Sequence, residues 1–249
     1  MLAEQLRRGM LVAAAVPFAV ARGFRRAPLP FIDIGARGGL PRPWHALYRA
    51  GVVKPVFFEP EPQAARALAR RYPTAAVEMK AAWRSAGSQT LFVTEEPGGS
   101  SLLEPEAGAQ LPPGLARQYA VRERVAIETV RAEDVAALAP LRDMVVKADV
   151  QGGELAVLEG FGVRLGQVCC CELEVSFAPL YREQPTIERV VAFMYEAGFG
   201  LVEVRTFGVR SARHAVQANA YFCRRHVATA RQHDTERIFR WASGVALRW

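Results

Sequence analysis

The sequence is short of cysteine, of long apolar runs and of acidic residues, and each shortage narrows what the protein can be. Four cysteines in 249 residues cannot supply the disulfide framework of a small secreted scaffold. Three of them, Cys169, Cys170 and Cys171, are consecutive in an apolar run. Strand neighbours point to opposite faces, which makes a chelating cluster awkward, so reduced buried thiols in a cytoplasmic protein are expected and no metal ligands are. The N-terminal apolar run, Gly9 to Ala21 between Arg7-Arg8 and Arg22, is too short to span a bilayer. Ala19-Val20-Ala21 imitates a signal-peptidase site, but Pro17 interrupts the run. A helical segment over residues 1–27 is expected instead, packed on the domain or in peripheral membrane contact through residues 1–22. Acidic side chains number 25 against 32 Lys and Arg, a net charge of +7, so the surface attracts anions. The arginines are scattered, and no zinc finger, RRM-like aromatic pair or basic heptad array accompanies them. No nucleic acid is expected as a partner.

What is present is a chain of 51% hydrophobic composition, enough to bury one sizeable core. Pro28 to Ile34 reads as a strand running into the glycine cluster Gly35, Gly38 and Gly39. Trp44 to Ala50 reads as a helix, Val52 to Phe58 as a second strand and Glu61 to Arg71 as a second helix, the opening of a parallel sheet. Ala75 to Met79, Thr90 to Thr94 and Val125 to Val130 add strands, and Glu95 to Gln118 is a long patternless loop. Met144 to Val150 and Val168 to Val175 suit central strands buried on both faces. Ile187 to Ala197 reads as an amphipathic helix, and Leu201 to Phe207 and Ala218 to Cys223 as the last strands, joined by a basic loop holding His214. The domain is expected over residues 28–224, with a helical tail over 225–249.

In such a sheet, ligands bind beyond the carboxyl ends of the strands. Three of those ends carry acids: Asp33, Glu59 and Asp149. The loop from Asp33 to Gly39 has G-x-x-G-G after a carboxylate, not the G-x-G-x-x-G that brings a pyrophosphate onto a helix dipole. A carboxylate there repels pyrophosphate and suits a cationic ligand. Glu59, at the end of the second strand, is placed to accept both hydroxyls of a ribose. A nucleoside with a positive charge satisfies both.

Four blocks carry a family resemblance: Phe31-Ile32-Asp33-Ile34-Gly35-Ala36, Val56-Phe57-Phe58-Glu59-Pro60, Gly99-Ser100-Ser101-Leu102, and Val146 to Glu154 with Val157-Leu158 and Gly160. In order and separation they resemble the FkbM-type methyltransferases over roughly residues 29 to 206 of this chain. The resemblance implies a Rossmann-like class I α/β fold: a mostly parallel central sheet, helices on both faces and a C-terminal antiparallel strand. It implies S-adenosylmethionine as cofactor and O-methylation of a hydroxyl on a sugar, polysaccharide or secondary metabolite. Expected cofactor contacts are Asp33, Gly35, Arg37, Gly39, Glu59, Pro60, Ala82 and Asp149, and expected acceptor contacts are Ser100, Ser101, Gln151 and Glu174. Asp149, at the end of a central strand, is the first candidate base and His214 the second. Arg37 stands where the family usually has Asn, and Gln151 where it usually has Glu. An amide cannot serve as a base, so any role of that position as an acid is in question here. The competing readings are a catalytically silent S-adenosyl-ligand scaffold and a nucleic-acid methyltransferase, the latter without an Asn-Pro-Pro-Tyr or Pro-Cys motif to support it.

Overall fold

The computed structural model describes residues 14–106, 111–210 and 215–245. In chain order it contains α1 (14–21), β1 (Leu29–Ile34), α2 (Arg42–Arg49), β2 (Val53–Phe58), α3 (Pro62–Arg71), β3 (Ala76–Glu78), β4 (Ala81–Ala82) and β5 (Gly87–Thr94). These are followed by α4 (Pro113–Ala116), β6 (Val121–Val130), β7 (Met144–Ala148), α5 (Glu154–Gly160), β8 (Val168–Ser176), α6 (Ile187–Glu196), β9 (Phe199–Arg210), β10 (Ala215–Arg224) and α7 (Ala230–Ser243).

All six residues of β1 are buried, as a parallel strand covered on both faces requires. The helices begin where side chains satisfy their free N–H groups. Glu61 accepts from Gln63 and Ala64 at the start of α3, with Pro62 in its first turn, and Thr229 accepts from Gln232 at the start of α7. Gly244, with φ of 68°, ends α7 in the left-handed conformation.

Seven strands form one sheet in the order β3-β2-β1-β7-β8-β10-β9. β1 pairs in parallel with β2 and β7, β2 with β3, and β7 with β8. β10 lies antiparallel between β8 and β9. This is the expected arrangement, a mostly parallel sheet with a C-terminal antiparallel strand. The strand order reverses between β1 and β7, which makes that junction the switch point. One face, through Ile32, Val146, Cys171 and Phe222, packs on Val157 and Leu158 of α5 and Val190 and Met194 of α6. The other, through Phe31, Phe57 and Val145, packs on Ala15 and Ala19 of α1, Trp44 of α2, Leu68 of α3 and Phe239 of α7. The described part of α1 is thus core-facing on one side. No helix among the described residues is long and apolar enough to cross a membrane.

The middle strands depart from the expected single sheet. β4, β6 and β5 form a separate sheet of three strands. The β5–β6 pair is antiparallel over nearly its whole length, and an apolar run's periodicity does not say which sheet it joins. The expected long loop is partly ordered by a 3-10 turn at Pro97–Gly99 and by α4. Leu111 packs on Leu180, Tyr181 and Val216, and Glu106 and Arg182 make backbone bonds across to Leu180 and Glu104. The four cysteines are buried and unbridged.

Candidate functional site

β1 ends in Gly35, whose φ is +78° and where a Cβ would stand 2.0 Å from the carbonyl oxygen of Asp149. Only glycine admits that approach. Asp149 donates its N–H to Ile34 at 3.0 Å, so the ends of β1 and β7 are laced together. β2 ends in Glu59, buried, with Oε1 accepting the N–H of Glu61 at 2.9 Å. Burial raises its pKa above the ordinary carboxylate value, against that backbone bond and the charge of Arg37.

These strand ends open on a cavity of about 540 Å³. The small sheet supplies an apolar wall through Ala82, Leu91, Val125 and Ile127, joined by Trp83. Of the residues expected from sequence, the cavity brings together Gly35, Arg37, Glu59, Pro60, Ala82, Ser100, Ser101, Asp149 and Gln151. A second cavity of about 210 Å³ shares Gly98 and Gln151 with the first and is otherwise lined by Glu96, Gly99, Gln118, Tyr119, Glu174, Phe207 and Gln217.

Asp33 and Gly39 are not among the residues lining either cavity. Asp33 lies one residue back on β1 with its side chain buried and its Oδ1 3.6 Å from Lys147 Nζ. The same ammonium stands 3.7 Å from Asp149 Oδ2. Burial raises the Asp33 pKa to about 6, with Lys147 pulling against it. Burial likewise lowers the pKa of Lys147, but the carboxylates of Asp33, Asp149, Glu172 and Glu174 outweigh it and leave the ammonium above its ordinary range. Gly39, with φ of +71°, makes room for Tyr72, whose hydroxyl would lie 2.8 Å from a Cβ there and accepts the N–H of Leu40 at 3.0 Å. His214 lies outside the described residues.

Between the two cavities sits a polar cluster. Gln151 Nε2 donates to Asp149 Oδ1 and to Glu174 Oε1, each at 2.9 Å. The Tyr181 hydroxyl lies 2.8 Å from Gly99 O and 3.1 Å from Gln151 Oε1, its single hydrogen shared between these two acceptors. Gln217 Nε2 donates to Glu174 Oε1 at 2.5 Å. Burial holds the Glu174 pKa well above the ordinary value, with Asp149 and Glu154 adding to it. The turn itself is strained, with positive φ at Gln151 (58°) and Gly152 (98°). It is held from within by Glu154, whose Oε1 accepts Val150 N–H at 2.9 Å and Gly152 N–H at 3.3 Å, and from outside by Ser101, which donates to Gln151 O at 2.7 Å. Burial raises the Glu154 pKa to about 7.

The match to a family model settles what this constellation belongs to: the methyltransferase FkbM domain covers residues 33–201, which include the glycine loop, both acidic strand ends and the Gln151 turn. The chain belongs to the FkbM methyltransferase family. Among curated proteins none matches. Among the solved structures similar to this chain are two methyltransferases. One is magnesium protoporphyrin IX methyltransferase from Synechocystis PCC 6803 with bound S-adenosylmethionine, 12% identical, with 88% of this chain and 80% of that one covered and a TM-score of 0.40. The other is 1,6-didemethyltoxoflavin-N1-methyltransferase from Burkholderia thailandensis with bound 1,6-didemethyltoxoflavin and S-adenosylhomocysteine, 11% identical, with 86% and 78% covered and a TM-score of 0.38. Likenesses of that size carry no weight for function.

Trp83, Lys147, Glu154, Tyr181 and Gln217 had escaped the sequence reading. Lys147 and Glu154 lie inside the family block, Lys147 alternating with apolar residues and Glu154 opening a helix after two glycines, a signal that the sequence carries. Trp83 and Tyr181 sit in segments without pattern, Gln217 lies just before the strand expected over Ala218 to Cys223, and all three reach the site through tertiary packing.

Proposed function

We propose that this S-adenosylmethionine-dependent methyltransferase transfers its methyl group to a hydroxyl oxygen of a small-molecule or carbohydrate-like acceptor, with the acceptor in the second cavity. The observation that carries the reading is the pair of adjoining cavities divided by Gln151. One is apolar-walled with acids at its strand ends, and the other is lined by amides, a buried carboxylate and two aromatic rings. The residues present fit the cofactor. Gly35 leaves backbone bare where a Cβ would collide, Glu59 offers a buried carboxylate suited to ribose hydroxyls, and Trp83, Leu91, Val125 and Ile127 suit a flat base. Asp149, with its side chain 39% exposed, offers negative charge toward a cationic group.

S-adenosylmethionine supplies, when bound, a methyl group on cationic sulfur. What the chain must add is alignment of the acceptor and a place for its proton. Glu174 faces the acceptor cavity, and a carboxylate whose pKa is raised by burial is a stronger proton acceptor than an ordinary one. Gln151 orients that carboxylate from one side and Gln217 from the other. Incubation with methyl-labelled cofactor and a panel of hydroxylated acceptors tests the reading. Alkali-stable label on oxygen supports it, and label found on nitrogen or carbon overturns it.

A further inference from the structure

Residues 14–75 carry ten Lys and Arg against three Asp and Glu, a net +7 that equals the charge of the whole chain. The rest of the protein is close to neutral. Of the three acids, Asp33 and Glu59 are buried, and the Glu61 carboxylate is engaged by the first N–H groups of α3. None of them neutralises the surface. Six of the exposed cations lie on one helical layer: Arg26 before β1, Arg42 and Arg49 on α2, and Arg66, Arg70 and Arg71 on α3. The layer is continuous. Tyr72, at the end of α3, packs on His45 and Tyr48 of α2, Arg25 donates to Ala50 at the end of α2, and Arg71 donates to Gly38 in the glycine loop.

Elsewhere several arginines are paired, as Arg84 with Glu159, Arg124 and Arg182 with Glu104, and Arg231 with Asp143, and others donate to backbone carbonyls, as Arg164 to Ala139 and Arg224 to Val168 and Ala197. By contrast Arg26, Arg42, Arg49, Arg66 and Arg70 have no ion-pair partner among the described residues. Such a segregation of unpaired charge leaves a field that only an external anion satisfies.

We propose that the layer of α2, α3 and the turn before β1 is a docking surface for an anionic lipid bilayer. The charges are spread over the exposed sides of two helices, which matches a broad sheet of phosphates. The aromatic residues of the layer, Trp44, Tyr48 and Tyr72, are buried or half-buried, so the stacking platforms that hold single-stranded nucleic acid are missing from it. The described part of α1 turns Ala15 and Ala19 into the core, so attraction through the helical layer is electrostatic and falls with salt. Arg37, on the cavity wall, belongs to the loop that Arg71 grips, so the docked face adjoins the cofactor cavity.

The test is sedimentation of the full chain with vesicles of mixed phosphatidylglycerol and phosphatidylcholine, with pure phosphatidylcholine beside them. The mixed vesicles should carry the protein down, increasingly less as salt is raised, and the pure ones should not. Each basic residue near such a surface is worth roughly fivefold in partitioning, so Arg42→Glu, Arg66→Glu and Arg70→Glu combined should lower it at least about a hundredfold. These positions are exposed, so thermal stability should hold, and the corresponding triple Arg→Lys variant should still bind. Equal binding to neutral vesicles, undiminished binding by the folded Glu variant, or preference for an RNA oligomer over mixed vesicles at the same salt overturns the proposal.

Discussion

Gln151 donates its side-chain amide to Glu174 at 2.9 Å while the same nitrogen serves Asp149 at 2.9 Å. Two carboxylates this close repel each other, and the hydrogens of one neutral amide relieve the repulsion without adding a charge. A glutamate at this position has no such hydrogens when ionised. We therefore expect Gln151→Glu to destabilise the protein at pH 8 by about 1 to 3 kcal/mol, the cost of leaving buried polar groups unsatisfied. The loss should shrink as the pH is lowered toward 5, because burial raises the Glu174 pKa and favours proton uptake there. Urea unfolding of both proteins across that range measures it, and a loss independent of pH would exclude the charge explanation.

Glu59 should be replaceable without unfolding, since its side chain accepts one local backbone bond and otherwise faces the cavity. Glu59→Ala should weaken S-adenosylhomocysteine binding by roughly 1.5 to 3 kcal/mol, the range for hydrogen bonds to a charged group. Calorimetry checks it, and unchanged affinity removes Glu59 from the site.

Gly35 and Gly38 share one loop and should respond oppositely. A Cβ at Gly35 meets the Asp149 carbonyl at 2.0 Å on a backbone of φ +78°, whereas at Gly38 it meets nothing within 4 Å. Gly35→Ala must push β1 and β7 apart, and cofactor binding should vanish. Gly38→Ala should stay within about 0.5 kcal/mol of the parent. Thermal unfolding with and without ligand separates the two.

The sequence made most of the large sheet legible, because long apolar runs bounded by glycine and acid have few alternatives. Asp149 and Glu59 reached the cavity for the same reason: strand ends are set by the runs that precede them. Asp33 did not, because a shift of one residue along a strand turns a side chain to the other face. The split of β4, β5 and β6 into their own sheet was hidden, since pairing partners are chosen by tertiary contact. Tyr181, from a stretch with no period, shows the same limit: it reaches Gln151 across thirty positions.

Glu154 should make stability depend on pH. Its pKa rises from an ordinary 4.5 to about 7 on burial, so the folded state binds a proton that the unfolded state has released. Stability from this group is therefore full below about pH 4.5 and is lost as pH rises toward 7. The difference is on the order of 3 kcal/mol. Glu154→Gln keeps the acceptor oxygen for Val150 and Gly152 and should flatten that slope. Denaturant melts at pH 5 and pH 8 provide the comparison, and an unchanged slope would assign the dependence to other groups, Asp33 first.

The chemistry gives the sharpest division, because Asp149 and Glu174 share one donor but line different cavities. If Glu174 takes the acceptor's proton, Glu174→Gln preserves the shape and both amide contacts in outline yet removes the base. General-base catalysis is typically worth about a hundredfold to ten-thousandfold, so single-turnover methyl transfer at saturating cofactor should fall by that much. The rise of rate with pH should disappear with it, since the deprotonated carboxylate is the active form and its raised pKa sets where the rise occurs. Asp149→Asn should act differently, lowering cofactor affinity while turnover recovers at saturation. Because the two carboxylates share the Gln151 amide, only the two variants together assign the profile of the parent. A collapse in Asp149→Asn with a near-normal rate in Glu174→Gln would move the base to Asp149.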